Sequence, residues 1–184
     1  PDMKITVLQQ DSVWADAVAN QQLAEEAIRR IVAQEAECNL PPTSLFVRPE
    51  MWSTGFATQP DGIAEGDCQS LHWMKQMVRL TNAAIAGSIA TEDGGRYYNR
   101  FYFVTPSSSD GDAAVAFYDK HHLFTYGGEH HRYTAGERRV VVEWQGVRFL
   151  LQVCYDLRFP VFARNRDDYD VALYVASWPD VRRA

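Results

Sequence analysis

The chain has 184 residues, of which 46% are hydrophobic and 23% charged, a composition typical of one globular domain large enough to bury its own core. Its 18 Lys and Arg residues against 24 Asp and Glu give a formal net charge of −6, and no long basic cluster occurs, which argues against nucleic-acid binding. No apolar run reaches the length of a membrane span, and three cysteines without a C-x-x-C spacing predict neither a disulfide framework nor a zinc site, so we expect a reduced, cytoplasmic protein.

The first half of the chain alternates between strand and helix patterns. A short apolar run at residues 5–8 predicts a buried strand, and the N-cap chemistry of residues 11–12 precedes an amphipathic helix over about residues 14–36. Apolar residues 45–47 predict a second buried strand, and residues 69–81 repeat apolar side chains at helical spacing. This order of elements is typical of an α/β domain.

The second half is dominated by strand patterns joined by turn signals. Strands are predicted at residues 83–90, 97–104, 113–118, 140–144, 147–154 and 171–176. Turns at residues 91–95 and 145–146 predict hairpins, residues 107–112 and 119–136 predict loops, and residues 159–165 predict a short helix. Together with the first half, these patterns predict a single layered α/β domain.

Three side chains with complementary chemistry lie at the ends of predicted strands. Glu50 follows the second strand, Lys120 follows the strand before the long polar loop, and Cys154 closes the strand before the predicted short helix. Reactive groups are common at strand ends in α/β folds, so we expect these three to converge. Each also has a purely structural interpretation, as a solvated acid, a lysine that protects a sheet edge and a small buried hydrophobe.

The chemical roles of the three groups match one reaction. The Cys154 thiolate would attack an amide carbonyl, the Glu50 carboxylate would take up the thiol proton, and the Lys120 ammonium would stabilise the oxyanion. The backbone N–H of Tyr155 would be a second oxyanion donor. Water activated by Glu50 would then hydrolyse the thioester intermediate.

Neighbouring histidines offer an alternative base or a metal site. His121 or His122 could act as the base for Cys154, but their position directly after Lys120 favours packing or hydrogen bonding. Adjacent histidines, here and at residues 130–131, are poorly placed to bind one ion, so we expect no metal.

Three segments resemble the motifs of the nitrilase (carbon–nitrogen hydrolase) superfamily, in the family's order. Residues 48–51 (RPEM) resemble its glutamate motif, residues 118–124 (YDKHHLF) its lysine motif and residues 152–160 (QVCYDLRFP) its cysteine motif. The segment around Glu129 resembles the loop that supplies a second glutamate, which implies that Glu129 positions Lys120 or assists proton transfer. The resemblance also implies an αββα sandwich, no metal or organic cofactor, and a homodimer or higher homo-oligomer.

A narrower resemblance, to bacterial omega-amidases, is carried by residues 51–56 (MWSTGF) and 172–179 (ALYVASWP). It implies hydrolysis of the terminal amide of a small ω-amido carboxylic acid such as 2-oxoglutaramate. The alternatives are another nitrilase-type amidase, such as an N-carbamoyl amide hydrolase, and a non-catalytic fragment. Members of the family extend well beyond this last segment, so we expect residues 1–184 to be one carbon–nitrogen hydrolase domain without its C-terminal portion.

Several side chains are candidates for substrate binding, because each has an aromatic ring or a cation that can face a pocket. They are Trp52, Phe124, Arg158 and Trp178. Arg158 could hold a substrate carboxylate, although an ion pair with Asp156 or Asp168 explains it equally well.

Overall fold

The computed structural model describes residues 2–107 and 113–178, which contain eight β-strands and two α-helices. In chain order these are β1 (Ile5–Val7), α1 (Ala17–Glu37), β2 (Leu45–Val47), α2 (Gln69–Thr81), β3 (Ala84–Asp93), β4 (Arg96–Pro106), β5 (Ala113–Asp119), β6 (Val141–Trp144), β7 (Val147–Val153) and β8 (Val171–Val175). The loop predicted at residues 107–112 lies, apart from Ser107, outside the described residues. Within the described part of the chain, no helix is long and apolar enough to cross a membrane.

The strands form two sheets. The five-stranded sheet has the order β1-β2-β3-β4-β5, in which β1, β2 and β3 are parallel and β4 and β5 continue antiparallel. The three-stranded sheet has the order β6-β7-β8, with β7 antiparallel to β6 and parallel to β8. All six strands predicted in the second half of the chain are therefore present.

Alternate side chains of the five-stranded sheet face two different cores. Phe46, Ile85 and Val104 pack with apolar side chains of α1 and α2, whereas Val47 and Phe103 pack with the three-stranded sheet. This period of two is what a sheet covered on both faces requires. The described residues thus form three layers, helices on the five-stranded sheet and that sheet on the three-stranded one, which are three of the four layers of an αββα sandwich.

The two longer predicted helices are present, but α1 begins later than its sequence pattern suggested. Its N-cap is Asp16, whose side chain accepts a hydrogen bond from the Ala19 N–H at 2.9 Å, and not residues 11–12. The second helix, Gln69–Thr81, has the predicted bounds.

The two predicted hairpins are confirmed, and each turn is only two residues long. Gly94 and Gly95 join β3 to β4 with φ angles of 58° and 74°, and Gln145 and Gly146 join β6 to β7 with φ angles of 50° and 78°. Two successive positive φ angles are typical of the tight hairpin turn whose twist matches that of the strands. Because the turn is so short, β3 and β4 extend further than predicted.

Two local predictions are wrong. The first strand is not buried: Ile5 is 39% and Val7 70% exposed, because β1 is an edge strand that pairs only with β2 among the described residues. Residues 159–165 form turns instead of a helix, and a short 3₁₀ helix, Cys154–Arg158, precedes them. Pro160 has no backbone N–H to continue that helix.

Candidate active site

The segments that follow β2 and β5 meet in a buried cluster of charges. Lys120 Nζ lies 2.8 Å from Glu50 Oε1 and 2.9 Å from Glu129 Oε2. None of the three residues is more than 1% exposed. Burying charged groups is unfavourable unless they are paired, and here one ammonium is shared by two carboxylates. The cluster therefore carries a net negative charge inside the protein.

Asn99, in the middle of β4, binds both carboxylates of this cluster. Its Nδ2 donates to Glu50 Oε1 at 2.8 Å and to Glu129 Oε1 at 3.0 Å, and its backbone oxygen accepts the Lys120 N–H at 3.0 Å. The opposite amide orientation would place an oxygen against two carboxylates, so the contacts themselves fix the side chain. Sequence analysis missed Asn99, because nothing in the strand pattern distinguishes it from an ordinary polar residue.

Glu50 is held in a fixed direction on both sides. Its second oxygen, Oε2, accepts the Ser177 N–H at 3.1 Å. The next residue, Met51, has a φ of 46° and donates its N–H to Ser88 Oγ at 2.9 Å. A positive φ in a residue other than glycine is strained and persists where surrounding contacts impose it. The backbone leaving β2 thus aims the carboxylate at Lys120.

Lys120 stays protonated in this setting. Burial by itself would lower the pKa of its ammonium, but the charges of Glu50 and Glu129 outweigh burial and raise the pKa above its ordinary value. The Nζ atom also lies 5.7 Å from the centroid of the Phe56 ring. The raised pKa favours the ammonium form of Lys120 at neutral pH.

Cys154 lies at the point where β7 gives way to the 3₁₀ helix Cys154–Arg158, and its φ is 43°. Burial raises the pKa of its thiol to about 12, with a further increase from the charge of Glu50 and a hydrogen bond to it. Lys120 and the backbone of Ser177 act in the opposite direction. At neutral pH the group is therefore a thiol that needs a base to become a nucleophile.

A cavity of about 550 Å³ lies against Cys154. Its lining is mostly apolar and aromatic: Phe56, Thr58, Phe124, Tyr126, Gly127, Cys154, Tyr155, Leu157, Arg158, Ser177 and Trp178. Arg158 is the one cation among these described residues. This volume falls in the range of small-molecule sites, so the cavity can admit a small substrate to the sulfur atom.

Most of the side chains predicted to bind substrate do line this cavity, and one does not. Those that line it are Phe124, Arg158 and Trp178, and Tyr155, predicted as a backbone oxyanion donor, lines it as well. Trp52 is fully buried in the core beneath the helices, with its ring centroid 5.1 Å from that of Trp73. A side chain with no exposed surface cannot touch a substrate, so the prediction for Trp52 is wrong.

The two histidines after Lys120 make local contacts. His121 Nδ1 lies 2.5 Å from the Gly136 backbone oxygen, and His122 Nδ1 lies 2.8 Å from Asp156 Oδ1. No group of three or more His, Cys, Asp or Glu side chains in residues 2–107 and 113–178 is arranged to hold a metal ion. These contacts match the packing and hydrogen-bonding role predicted from their position.

The sequence is similar to those of characterised amidases. It is 43% identical over 180 residues to an omega-amidase YafV of Yersinia enterocolitica. This match covers 98% of this chain and 65% of that protein. It is 31% identical over 140 residues to a 2-oxoglutaramate amidase of Bacillus subtilis, covering 73% of this chain and 52% of the relative. The chain thus spans less than two thirds of the length of these relatives.

The fold and the family agree with this similarity. The crystal structure of XC1258 from Xanthomonas campestris, a CN-hydrolase superfamily protein with an arsenic adduct in the active site, matches with a TM-score of 0.86 at 37% identity, covering 99% of this chain and 67% of that one. The likeness confirms the predicted nitrilase-type fold. Residues 4–184 match the carbon–nitrogen hydrolase family. The chain belongs to that family.

Proposed function

We propose that the protein hydrolyses the terminal amide of a small ω-amido carboxylic acid, such as 2-oxoglutaramate, through a thioester on Cys154. The observation that carries this proposal is the buried Lys120, bound at 2.8 Å to Glu50 and at 2.9 Å to Glu129. The hydrogen bond between the Cys154 thiol and Glu50 connects this cluster to a cavity open to a substrate. The names of the amidases to which the chain is similar support the same reaction.

In the first half of the reaction, Glu50 takes the thiol proton as the Cys154 sulfur attacks the amide carbon. The carbonyl oxygen gains a negative charge, which the Lys120 ammonium and the N–H of Tyr155 stabilise. The position of Tyr155 supports this role, since it lies in the first turn of a 3₁₀ helix, where N–H groups have no partner within the helix. The C–N bond then breaks, Glu50 returns the proton to the nitrogen, and ammonia leaves.

In the second half, water replaces ammonia. Glu50 takes a proton from the water molecule, whose oxygen attacks the thioester carbon. The same donors stabilise the second oxyanion. When the C–S bond breaks, Glu50 returns the proton to the sulfur, so the carboxylic acid is released and the resting thiol is restored. The net reaction consumes one amide and one water and yields one acid and one ammonia.

We assign recognition of the substrate's distal carboxylate to Arg158. It is the cation among the described residues that line an otherwise largely apolar cavity, and a guanidinium matches a carboxylate with two parallel hydrogen bonds. Its alternative partners are engaged elsewhere: Asp168 is paired with Arg139, and Asp156 accepts hydrogen bonds from Tyr118 and His122. Phe124 and Trp178 would enclose the carbon chain of the substrate.

The test is ammonia release by the full-length protein from three substrates: 2-oxoglutaramate, an N-carbamoyl amino acid and a simple amide without a carboxylate. We expect 2-oxoglutaramate to be hydrolysed with the highest kcat/KM, and the Cys154→Ala protein to release no ammonia. Preference for the N-carbamoyl amino acid would favour the rival amidase activity. Absence of turnover on all three would contradict the proposal.

We further propose a homodimer, as the family resemblance implies, and a reduced cytoplasmic setting, as the cysteine pattern suggests. The three cysteines are free, which suits a reducing compartment. Leu157 and Val161, which follow the Cys154 turn, are 58% and 83% exposed and would be covered by a second subunit. Light scattering on the full-length protein should give twice the monomer mass, and a strictly monomeric protein would contradict this proposal.

A further inference from the structure

The carboxylate of Asp156 is fully buried next to Cys154 and has no part in the reaction steps above. Its Oδ2 accepts the Tyr118 hydroxyl at 2.8 Å and the Val153 N–H at 2.9 Å. Its Oδ1 accepts the N–H of His122 at 2.9 Å and contacts the ring Nδ1 of the same residue at 2.8 Å. Four contacts from three residues therefore converge on one side chain that is 0% exposed.

These contacts connect the two segments that carry the nucleophile and the ammonium. Val153 immediately precedes Cys154, whereas Tyr118 and His122 lie two residues before and two residues after Lys120. Tyr118 extends the connection, since its hydroxyl oxygen accepts the His121 N–H at 3.1 Å. Burial, followed by the charge of Asp156, raises the pKa of Tyr118, so its hydroxyl remains a donor to the carboxylate.

Aromatic stacking strengthens the same connection. The His122 ring is stacked on Phe159 with centroids 3.8 Å apart, and the His121 ring is stacked on Phe162 at 4.3 Å. Both phenylalanines belong to the segment that follows the Cys154 turn. The loop that begins at Lys120 and the 3₁₀ helix that begins at Cys154 are thus held together at several points. Among these contacts, those of the Asp156 carboxylate are fully buried.

The backbone at Cys154 needs such a constraint. Its φ of 43° is in the left-handed region, which is unfavourable for a residue with a side chain. A strained conformation of this kind persists where neighbouring contacts over-determine it. The Val153 N–H bond to Asp156 spans the strained residue and closes the turn around it.

We propose that Asp156 is a positioning residue for the reaction, which fixes the Cys154 turn against the Lys120 loop and so sets the geometry of nucleophile and ammonium. The effect on kcat rests on the proposed function. The effect on the environment of the Cys154 thiol does not, because alkylation of that thiol can be measured without turnover.

The test compares Asp156→Asn with Asp168→Asn in the full-length protein. Asn at 156 has nearly the same shape, but its amide would face two of the four donors. Asp168 is the control, because its carboxylate is bound to Arg139 outside the site. We measure kcat and KM for ammonia release, the melting temperature, and the pH dependence of Cys154 alkylation by iodoacetamide, read by peptide mass spectrometry.

We expect Asp156→Asn to lower kcat by about 10²-fold with KM nearly unchanged, because a small misplacement of reacting groups has an effect of that order. The midpoint of Cys154 alkylation should also move down from about 12, as the released thiol loses its contact with Glu50. Asp168→Asn should change neither kcat nor the midpoint of Cys154 alkylation.

A purely structural role would lower the melting temperature and leave kcat and the alkylation midpoint unchanged, and that result would overturn the inference. If Asp156→Asn does not fold, Tyr118→Phe decides, since it removes one donor from the carboxylate and keeps the ring. We expect it to lower kcat about tenfold, the order of one hydrogen bond to a charged group, and unchanged kcat would refute the inference. Should the parent protein hydrolyse no amide, the proposed function fails, and the alkylation midpoints still decide the role of Asp156.

Discussion

Replacing Glu50 by glutamine should change turnover and thiol reactivity in opposite directions. With a pKa of about 12 for Cys154, roughly one thiol in 3 × 10⁴ is ionised at about pH 7.5. In the proposed reaction the parent protein depends on Glu50 to remove the proton, and loss of a positioned base lowers a rate by at least about 10². The same substitution removes a negative charge and a hydrogen bond that raise the pKa of the thiol. Lys120, freed from one of its two carboxylates, should then stabilise the thiolate more strongly.

The two consequences are measured separately. Ammonia release from 2-oxoglutaramate gives turnover, and iodoacetamide labelling from about pH 7 to 12 gives the ionisation midpoint of Cys154. Cys68 is an internal control, because the charges that influence its thiol are those of Glu65, Asp67, Arg100 and Asp93. We expect lower turnover, a lower midpoint for Cys154 and no change for Cys68. A Glu50→Gln protein with parental turnover, or with a higher midpoint for Cys154, would refute the reasoning.

Four further substitutions test the remaining parts of the site. Cys154→Ala should abolish ammonia release while lowering the free energy of unfolding in urea by only about 1–2 kcal/mol; measurable turnover would contradict the nucleophile. Lys120→Met should lower turnover at least about 10²-fold and, by leaving two buried carboxylates without a cation, destabilise the fold by about 3–5 kcal/mol; an unchanged urea midpoint would contradict the buried pairs. Asn99→Leu should destabilise the protein by about 1–3 kcal/mol, because both carboxylates lose a donor, and parental stability would argue against its role. Arg158→Gln should raise KM for 2-oxoglutaramate about tenfold or more without raising KM for an amide that lacks a carboxylate; equal effects on both substrates would exclude carboxylate recognition.

The elements that carry the site could be predicted from the sequence because local patterns determine them. The apolar runs before Glu50, Lys120 and Cys154 are long enough to indicate strands, and the polar residue at each end is visible without any structure. The hairpin turns were equally accessible, since Gly94-Gly95 supplies the positive φ angles that such a turn requires.

Hydrogen bonds between side chains that are distant in sequence could not be predicted in the same way. Asn99 is 49 residues from Glu50 and 30 from Glu129, and only the strand order of the five-stranded sheet, together with the loop after β5, brings its amide to both. Asp156 looked like a partner for Arg158, two residues away in sequence, yet it accepts hydrogen bonds from the distant Tyr118 and His122. These contacts join residues that are far apart in sequence, and local sequence patterns do not predict them.

The exposed first strand and the buried Trp52 illustrate a second limit. Apolar composition at residues 5–8 predicts burial only if other elements cover both faces, and the edge position of β1 decides otherwise. Trp52 lies two residues after Glu50, within a segment that otherwise leads to the site, but its ring turns towards Trp73 and the helices. Side-chain direction after a strand end depends on the turn, here on the positive φ of Met51.

The charges of the site give a reason for pairing one ammonium with two carboxylates. In the proposed reaction, proton transfer from Cys154 to Glu50 would move the net negative charge of the cluster to the sulfur without creating a new one, and attack on the carbonyl would then move it to an oxygen beside Lys120. In a buried environment, relocating a charge between prepared positions is far less costly than generating one. In the proposed reaction Glu129 keeps the ammonium in place, so that Lys120 retains one carboxylate partner while Glu50 carries the proton.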